Sequence, residues 1–107
     1  MEGAPGLMPS PVRGELEYLV LALLMKQPMC GTDIIRTIHE KFGLLLSPGT
    51  VYPLLHELKR RGLVEFERGG KIKRYRTAEG MEEKIRGLLE GYISAKRMVL
   101  DFLESSG

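Results

Sequence analysis

Residues 47–58 read SPGTVYPLLHEL and contain the clearest helix start in the chain. Ser47 can cap the free amides of a first turn, and Pro48 takes the first helical position, where its missing N–H costs nothing. A buried face is predicted from apolar residues at helical spacing, namely Val51, Leu54, Leu55 and Leu58. Pro53 removes one internal hydrogen bond and is expected to bend this helix near its start. The stretch therefore predicts a helix that ends at Gly62 and whose start is exposed.

Two further helices are predicted before this one. The first begins between Pro11 and Glu15, and Pro28 closes it. Its apolar face consists of Leu16, Leu19, Val20, Leu23 and Leu24. The second follows Gly31, carries Ile34, Ile35, Ile38 and Phe42 at the same spacing, and ends at Gly43 in a left-handed cap. Residues 1–10 contain Pro5 and Pro9 among small residues and are predicted to form a flexible tail.

A β-hairpin is predicted after the third helix. Apolar and acidic residues alternate over 63–67, Gly69-Gly70 forms a two-residue turn, and residues 71–76 return. This turn pairs Val64 with Tyr75, Phe66 with Lys73 and Glu65 with Arg74. Because an isolated hairpin is unstable, its apolar side chains are expected to rest on the helices.

One long helix is predicted from Met81 to about Leu103, with apolar residues alternating at steps of four and three. At roughly 35 Å it exceeds what one small domain covers, so its apolar stripe requires a second chain. The predicted dimer interface consists of Ile85, Leu88, Leu89, Gly91, Tyr92, Ala95, Val99 and Leu100. Gly87 and Gly91 lie one turn apart, which favours close packing of two helices over a solvated face.

The positive charge is concentrated in the middle of the chain. The net charge of the whole chain is only +2, whereas residues 47–77 carry eight basic and three acidic side chains. Such a segment attracts a polyanion, although exposed helix faces are often charged without binding one.

Three short helices followed by a hairpin and a long helix describe a mainly α (α+β) fold. The predicted architecture is a winged helix-turn-helix over residues 11–80, with a two-stranded wing, and a C-terminal dimerisation helix over 81–107. The start of the third helix offers free N–H groups and a partial positive charge to phosphates or base edges. The predicted DNA contacts are Ser47, Gly49, Thr50, Tyr52, Pro53, His56, Lys59, Arg60, Arg68, Gly69, Gly70, Lys71, Lys73 and Arg74. For Tyr52 the alternative is packing on Pro53 and the hairpin, for His56 a merely solvated side chain, and for Arg74 an ion pair with Glu65.

The stretches GELEYLVLALL (14–24), PMCG (28–31) and LSPGTVYPLL (46–55) resemble the PadR family of transcriptional regulators. RGLVE (61–65), YRT (75–77) and Gly80 extend the resemblance over about residues 13–80. It implies a repressor that binds an inverted-repeat operator as a homodimer joined through the C-terminal helix. It also implies a small aromatic or cationic effector near the dimer interface. Cys30 and Thr32 stand where the family often has tyrosines.

Other classes of function find little support in the residues. No nucleophile is paired with a base, and no glycine-rich phosphate loop follows a strand, so no catalytic residues and no cofactor are predicted. His39, His56 and Cys30 lie on separate elements without ligand spacing, so no metal site is predicted. No membrane segment or leader is recognised, and the chain is expected to be cytoplasmic. Two alternatives to DNA binding stay open, a winged helix that binds protein and a small-molecule sensor.

Overall fold

A computed structural model describes residues 14–106, and the tail predicted over residues 1–10 lies outside them. The described elements are α1 (Leu16–Lys26), α2 (Gly31–Phe42), α3 (Pro48–Arg60), β1 (Val64–Phe66), β2 (Tyr75–Thr77) and α4 (Glu82–Ser106). The predicted order of helices and strands is confirmed. The fold is mostly helical with one two-stranded antiparallel sheet, the wing.

The core lies where the three short helices meet the wing. Its fully buried apolar side chains are Val20, Leu21, Ile34, Ile38, Val51, Leu55, Leu58 and Ile85. Helix α2 packs on α3, and α1 packs on both β2 and α4. Leu54, predicted in the buried stripe of α3, is only half-buried at the edge of this core. The buried face of α3 thereby fixes which of its side chains point outward.

The helix ends follow the predicted signals with one exception. Gly43 has φ +68° and donates its N–H to the carbonyl of His39 at 2.8 Å, which closes α2 as expected. Pro48 occupies the first turn of α3. The side chain of Ser47 makes no capping hydrogen bond to a backbone amide, because its Oγ lies 3.3 Å from the hydroxyl of Thr50. The expected side-chain cap is therefore wrong, and the Ser47 carbonyl instead accepts the amides of Thr50 and Val51.

The wing has a different register from the predicted one. The observed pairs are Val64–Thr77, Glu65–Arg76 and Phe66–Tyr75, and the Glu67 N–H donates to the Arg74 carbonyl at 2.7 Å. The predicted two-residue turn at Gly69-Gly70 is therefore wrong, since the connection is longer. The shift is by two residues, so each side chain keeps its predicted face. Arg74 lies 3.7 Å from Glu67 instead of pairing with Glu65, which lies 3.6 Å from Arg76.

A third backbone segment joins the wing. Met29, just before α2, exchanges two hydrogen bonds with Tyr75, its N–H donating at 3.0 Å and its carbonyl accepting at 2.8 Å. The sequence offered no sign of this bridge, because a single paired residue has no alternating pattern. It fixes the root of the wing to the start of α2.

Helix α4 divides into two halves with different surroundings. In the first half Ile85 is fully buried, and Leu88 and Leu89 pack against the core of the same chain. The ring of Tyr92 stacks on that of Tyr18, with centroids 4.2 Å apart. Ile85 has no surface left for a second chain, so placing it in a dimer interface is wrong.

Candidate nucleic-acid interface

The outer face of α3, the start of α2 and the wing line one groove with a volume of about 420 Å³. Its lining residues are Cys30, Thr32, Tyr52, His56, Phe66, Ile72, Lys73 and Tyr75. The structure thus brings three of the predicted contact residues, Tyr52, His56 and Lys73, to a common concave surface.

Tyr52 forms part of the floor of this groove. Its side chain is half-buried, and a Cβ on Gly31 would overlap its ring. The ring therefore packs on the start of α2, which neither the contact prediction nor the packing alternative had specified. Tyr75 lies close by, and its burial, with a smaller effect of Tyr52, raises the pKa of the Tyr75 phenol. Both phenols can thus serve as neutral hydrogen-bond donors.

The start of α3 is exposed beside the groove. Ser47, Gly49, Thr50 and Pro53 are all solvent-accessible, and the first turn contains no acidic side chain. Within residues 14–106 the amide of Gly49 makes no backbone hydrogen bond. The positive end of α3 is therefore open to a negatively charged ligand.

Half of the basic side chains between 47 and 77 are held by carboxylates of this chain. Arg60 binds both oxygens of Glu57, and Arg61 lies 2.9 Å from Glu17. The hydrogen bonds from Arg60 hold the pKa of Glu57 below its ordinary value. Arg74 and Arg76 are paired within the wing, as described above. Of the predicted phosphate contacts, Arg60 and Arg74 are thus already partly neutralised.

The other four basic side chains are Lys59, Arg68, Lys71 and Lys73, and no carboxylate in the described part of the chain lies within 4 Å of them. All four are exposed. Arg68 and Lys71 flank Gly69 and Gly70 at the wing tip, where Gly69 has φ +83° and so favours glycine. Sequence reasoning did not identify Phe66, whose ring lies beneath both Lys59 and Lys73.

The predicted dimer residues lie on both halves of α4. Leu88, Leu89 and Tyr92 are partly covered by their own chain, whereas Gly91, Ala95, Val99 and Leu100 are exposed. Further exposed apolar side chains that the prediction did not include are Ile93, Met98, Phe102 and Leu103. The 3.5-residue spacing could have indicated Phe102, but not where the chain's own core ends.

Tyr92 also belongs to a polar cluster between α1 and α4. The Nζ of Lys96 lies 2.5 Å from the carboxylate of Glu15. The hydrogen bond from Lys96, followed by that from Tyr92, lowers the pKa of Glu15, and Glu15 in turn raises the pKa of Lys96. Burial, and then Glu15, raise the pKa of Tyr92, whose hydroxyl is buried without a well-formed hydrogen bond. A cavity of about 160 Å³ lies beside this cluster.

Together the helices, the wing and the groove define a winged helix-turn-helix protein. Residues 20–86 match the model of the "Transcriptional regulator PadR-like family". This chain belongs to the PadR-like family of transcriptional regulators. Among the described residues, no helix is long and apolar enough to cross a membrane.

Related proteins and structures agree with this assignment. The chain is 31% identical over 91 residues to the transcriptional activator GvpE of Haloferax mediterranei, with 79% of this chain and 47% of that protein covered. It is 36% identical over 63 residues to the transcriptional activator GvpE1 of Halobacterium salinarum, covering 59% of this chain and 33% of that protein. The chain thus spans less than half the length of these relatives.

Among solved structures, a PadR-like transcription factor from Bacteroides fragilis is 31% identical with a TM-score of 0.69, covering 87% of this chain and 95% of that one. A PadR family regulator from Eggerthella lenta is 28% identical with a TM-score of 0.70, covering 89% and 87%.

Proposed function

We propose that this chain binds double-stranded DNA and regulates transcription as a homodimer on an inverted-repeat site. The observation that carries the proposal is the groove between α3 and the wing, around which four basic side chains lack an intrachain carboxylate within the described range. A cationic, concave surface beside an exposed helix start is complementary to the backbone and groove of duplex DNA.

In this proposal α3 enters the major groove. That groove is about 12 Å wide and admits one α-helix. Gly49, Thr50, Tyr52 and His56 approach base edges, with Ser47 and Pro53 beside them at the start of the helix. Thr50 and His56 are exposed, and Tyr52 is presented on the floor of the groove.

The wing and the end of α3 contact the phosphate backbone. Lys59, Arg68, Lys71 and Lys73 provide four phosphate contacts for each subunit, with Gly69 and Gly70 allowing close approach at the wing tip. Arg60 and Arg74 contribute less, because each must first exchange a carboxylate for a phosphate.

The proposal predicts a steep dependence of DNA affinity on salt. Eight phosphate contacts in a dimer give a slope of log K against log salt near −7. Gel-shift titrations with duplex DNA at several salt concentrations measure this slope. Removal of two contacts per dimer by Lys71→Gln should reduce the slope by about 2, whereas Lys41→Gln, on the last turn of α2, should leave it unchanged. No affinity for any duplex at low salt would contradict the proposal and favour the protein-binding alternative.

The second half of α4 is the proposed dimer contact. Val99 and Leu100 are 53% and 47% exposed, which is a high cost for apolar side chains unless a second chain covers them. The exposed Gly91 and Ala95 have open space around them in the single chain, so a second helix could approach closely there.

The sign of the regulation and the effector are the finer parts of the proposal. The family resemblance favours repression, whereas the haloarchaeal relatives are named activators. A promoter fused to a reporter, with and without this protein, decides between them. The cavity beside Tyr92 is below the 300 Å³ or so typical of ligand sites, so we place an effector there only with help from the second subunit.

A further inference from the structure

Two lysines from separate elements meet over one aromatic ring. The ammonium group of Lys59, on α3, lies 5.3 Å from the centroid of Phe66. That of Lys73, on the returning side of the wing, lies 5.0 Å from the same centroid. Both nitrogens are thus close to one point, although their residues lie on different parts of the fold.

This pair differs from the arginines around it. Arg60, Arg61, Arg74 and Arg76 each have a glutamate partner, whereas neither lysine has a carboxylate within 4 Å among residues 14–106. The electrostatic attraction of the ring holds an ammonium group nearby without using up its N–H donors. Two like charges gathered in this way are stabilised when an anion binds between them.

The ring itself is firmly placed. Phe66 lies on β1, is half-buried, and packs against the ring of Tyr75 with centroids 4.7 Å apart. Tyr75 is in turn buried and bridged to Met29. Phe66 therefore provides a fixed point at which a side chain from α3 and one from the wing come together.

We propose that Lys59 and Lys73 together bind a single backbone phosphate of the DNA, with Phe66 as the positioning residue. This inference rests on the proposed DNA binding and specifies one contact within it. Since both nitrogens lie about 5 Å from the same centroid, they are at most about 10 Å apart. A small adjustment of either flexible side chain brings both within hydrogen-bond distance, about 2.8 Å, of one phosphate.

A double-mutant cycle tests the shared contact. The probe is a duplex selected from random DNA by the wild-type chain, and the variants are Lys59→Gln, Lys73→Gln and both together. Loss of one charge-assisted contact should weaken binding about tenfold. The double variant should be weakened clearly less than the product of the two single effects, because the two side chains act on one group. The matched control pair, Lys59→Gln with Lys71→Gln, should be multiplicative.

Methylphosphonate linkages identify the phosphate directly. One neutral linkage at a single backbone position should weaken wild-type binding, and both lysine variants should be less sensitive at that same position. Phe66→Leu, which keeps an apolar side chain on β1, should weaken wild-type binding severalfold but have little effect in the double lysine variant. Circular dichroism checks that this variant is folded.

The outcomes separate the two levels of the argument. Multiplicative lysine effects, or sensitivity at two different linkages, would overturn the shared phosphate while leaving DNA binding intact. An equal effect of Phe66→Leu with and without the lysines would overturn its positioning role. If the wild-type chain binds no duplex at low salt, both this inference and the proposed function fail.

Discussion

At the scale of single residues, Gly31 and Tyr52 are matched by their shapes. Gly31 begins α2, and a side chain there would occupy the space that the Tyr52 ring fills. The position of Tyr52 in the groove thus depends on the absence of a Cβ on a different helix. The motif PMCG gives no sign of this dependence, because the partner lies two elements further along the chain.

Replacing Gly31 with alanine tests this match. We expect Gly31→Ala to displace the Tyr52 ring, to lower the free energy of unfolding by about 1–3 kcal/mol, and to weaken DNA binding. Urea unfolding and gel shifts measure the two effects. Gly87→Ala is the control, since no atom lies within 4 Å of its added Cβ and alanine favours a helix by up to about 1 kcal/mol. A Gly31→Ala variant with wild-type stability and affinity would refute the match.

The ion pair between Glu15 and Lys96 predicts a pH dependence of stability. Lys96 lowers the pKa of Glu15 from its ordinary 4.5, so the pair stabilises the fold above that pH and this stabilisation is lost as the pH falls through the lower folded value. The pKa of Lys96 is raised above 10.5, so its contribution is lost only as the pH rises through that higher value.

We therefore expect Glu15→Gln to destabilise the protein at neutral pH and to approach wild-type stability as the pH falls below 4.5. Denaturant unfolding at pH 3 to 7 gives the difference at each pH. The control is Glu79→Gln, because Glu79 is exposed and has no ion pair among residues 14–106. A constant difference for Glu15→Gln over this range would rule out the pair as its cause.

At the scale of elements, α4 shows what a repeating apolar pattern can and cannot predict. The pattern gave the existence and approximate extent of the helix, now Glu82–Ser106. It could not tell that Ile85 faces its own core whereas Val99 faces outward, because both residues follow the same spacing. The distinction depends on where the rest of the domain ends, which is a property of the tertiary structure.

The wing and the start of α3 show the same limit at shorter range. Alternation placed Val64, Phe66 and Tyr75 on the correct face, but two glycines were consistent with either a short or a longer turn. The identity of the candidate contact residues was predictable, since charge and the SPGTVYP stretch mark them. Their ion pairing was not, because Arg61 meets Glu17 from 44 residues away.

A charge on the second half of α4 should prevent dimer formation. We expect Val99→Asp to yield monomers, since the aspartate would be buried without a partner in the proposed interface. Sedimentation equilibrium measures the association. Ser94→Asp serves as the control, because Ser94 is exposed on the opposite, polar side of α4. Persistence of a Val99→Asp dimer would move the contact to another surface.

At the scale of the whole molecule, the described part of the chain measures 53 × 32 × 20 Å. Helix α4 contains 25 residues and so extends about 37 Å. A helix of this length can join two groove-and-wing surfaces while holding them apart. The surfaces would then be related by a twofold axis.

DNA selected by this protein should carry the same symmetry. We expect fragments recovered from a random duplex pool to contain an inverted repeat with half-sites one turn, about 34 Å, or a multiple of it apart. Sequencing of the bound pool provides the measurement, and the Val99→Asp protein offers a comparison in which only half-sites should be enriched. Asymmetric sites for the wild-type chain would contradict the twofold arrangement.

The bridge between Met29 and Tyr75 has a mechanical consequence for any bound duplex. A pull on the wing tip passes through β2 into two backbone hydrogen bonds, and from there into the first turn of α2. The wing cannot swing as a loose arm on a hinge, because its root shares a load with the helix that supports Tyr52. Tension from the backbone is therefore felt on the floor of the groove, and the two contact regions yield or hold together.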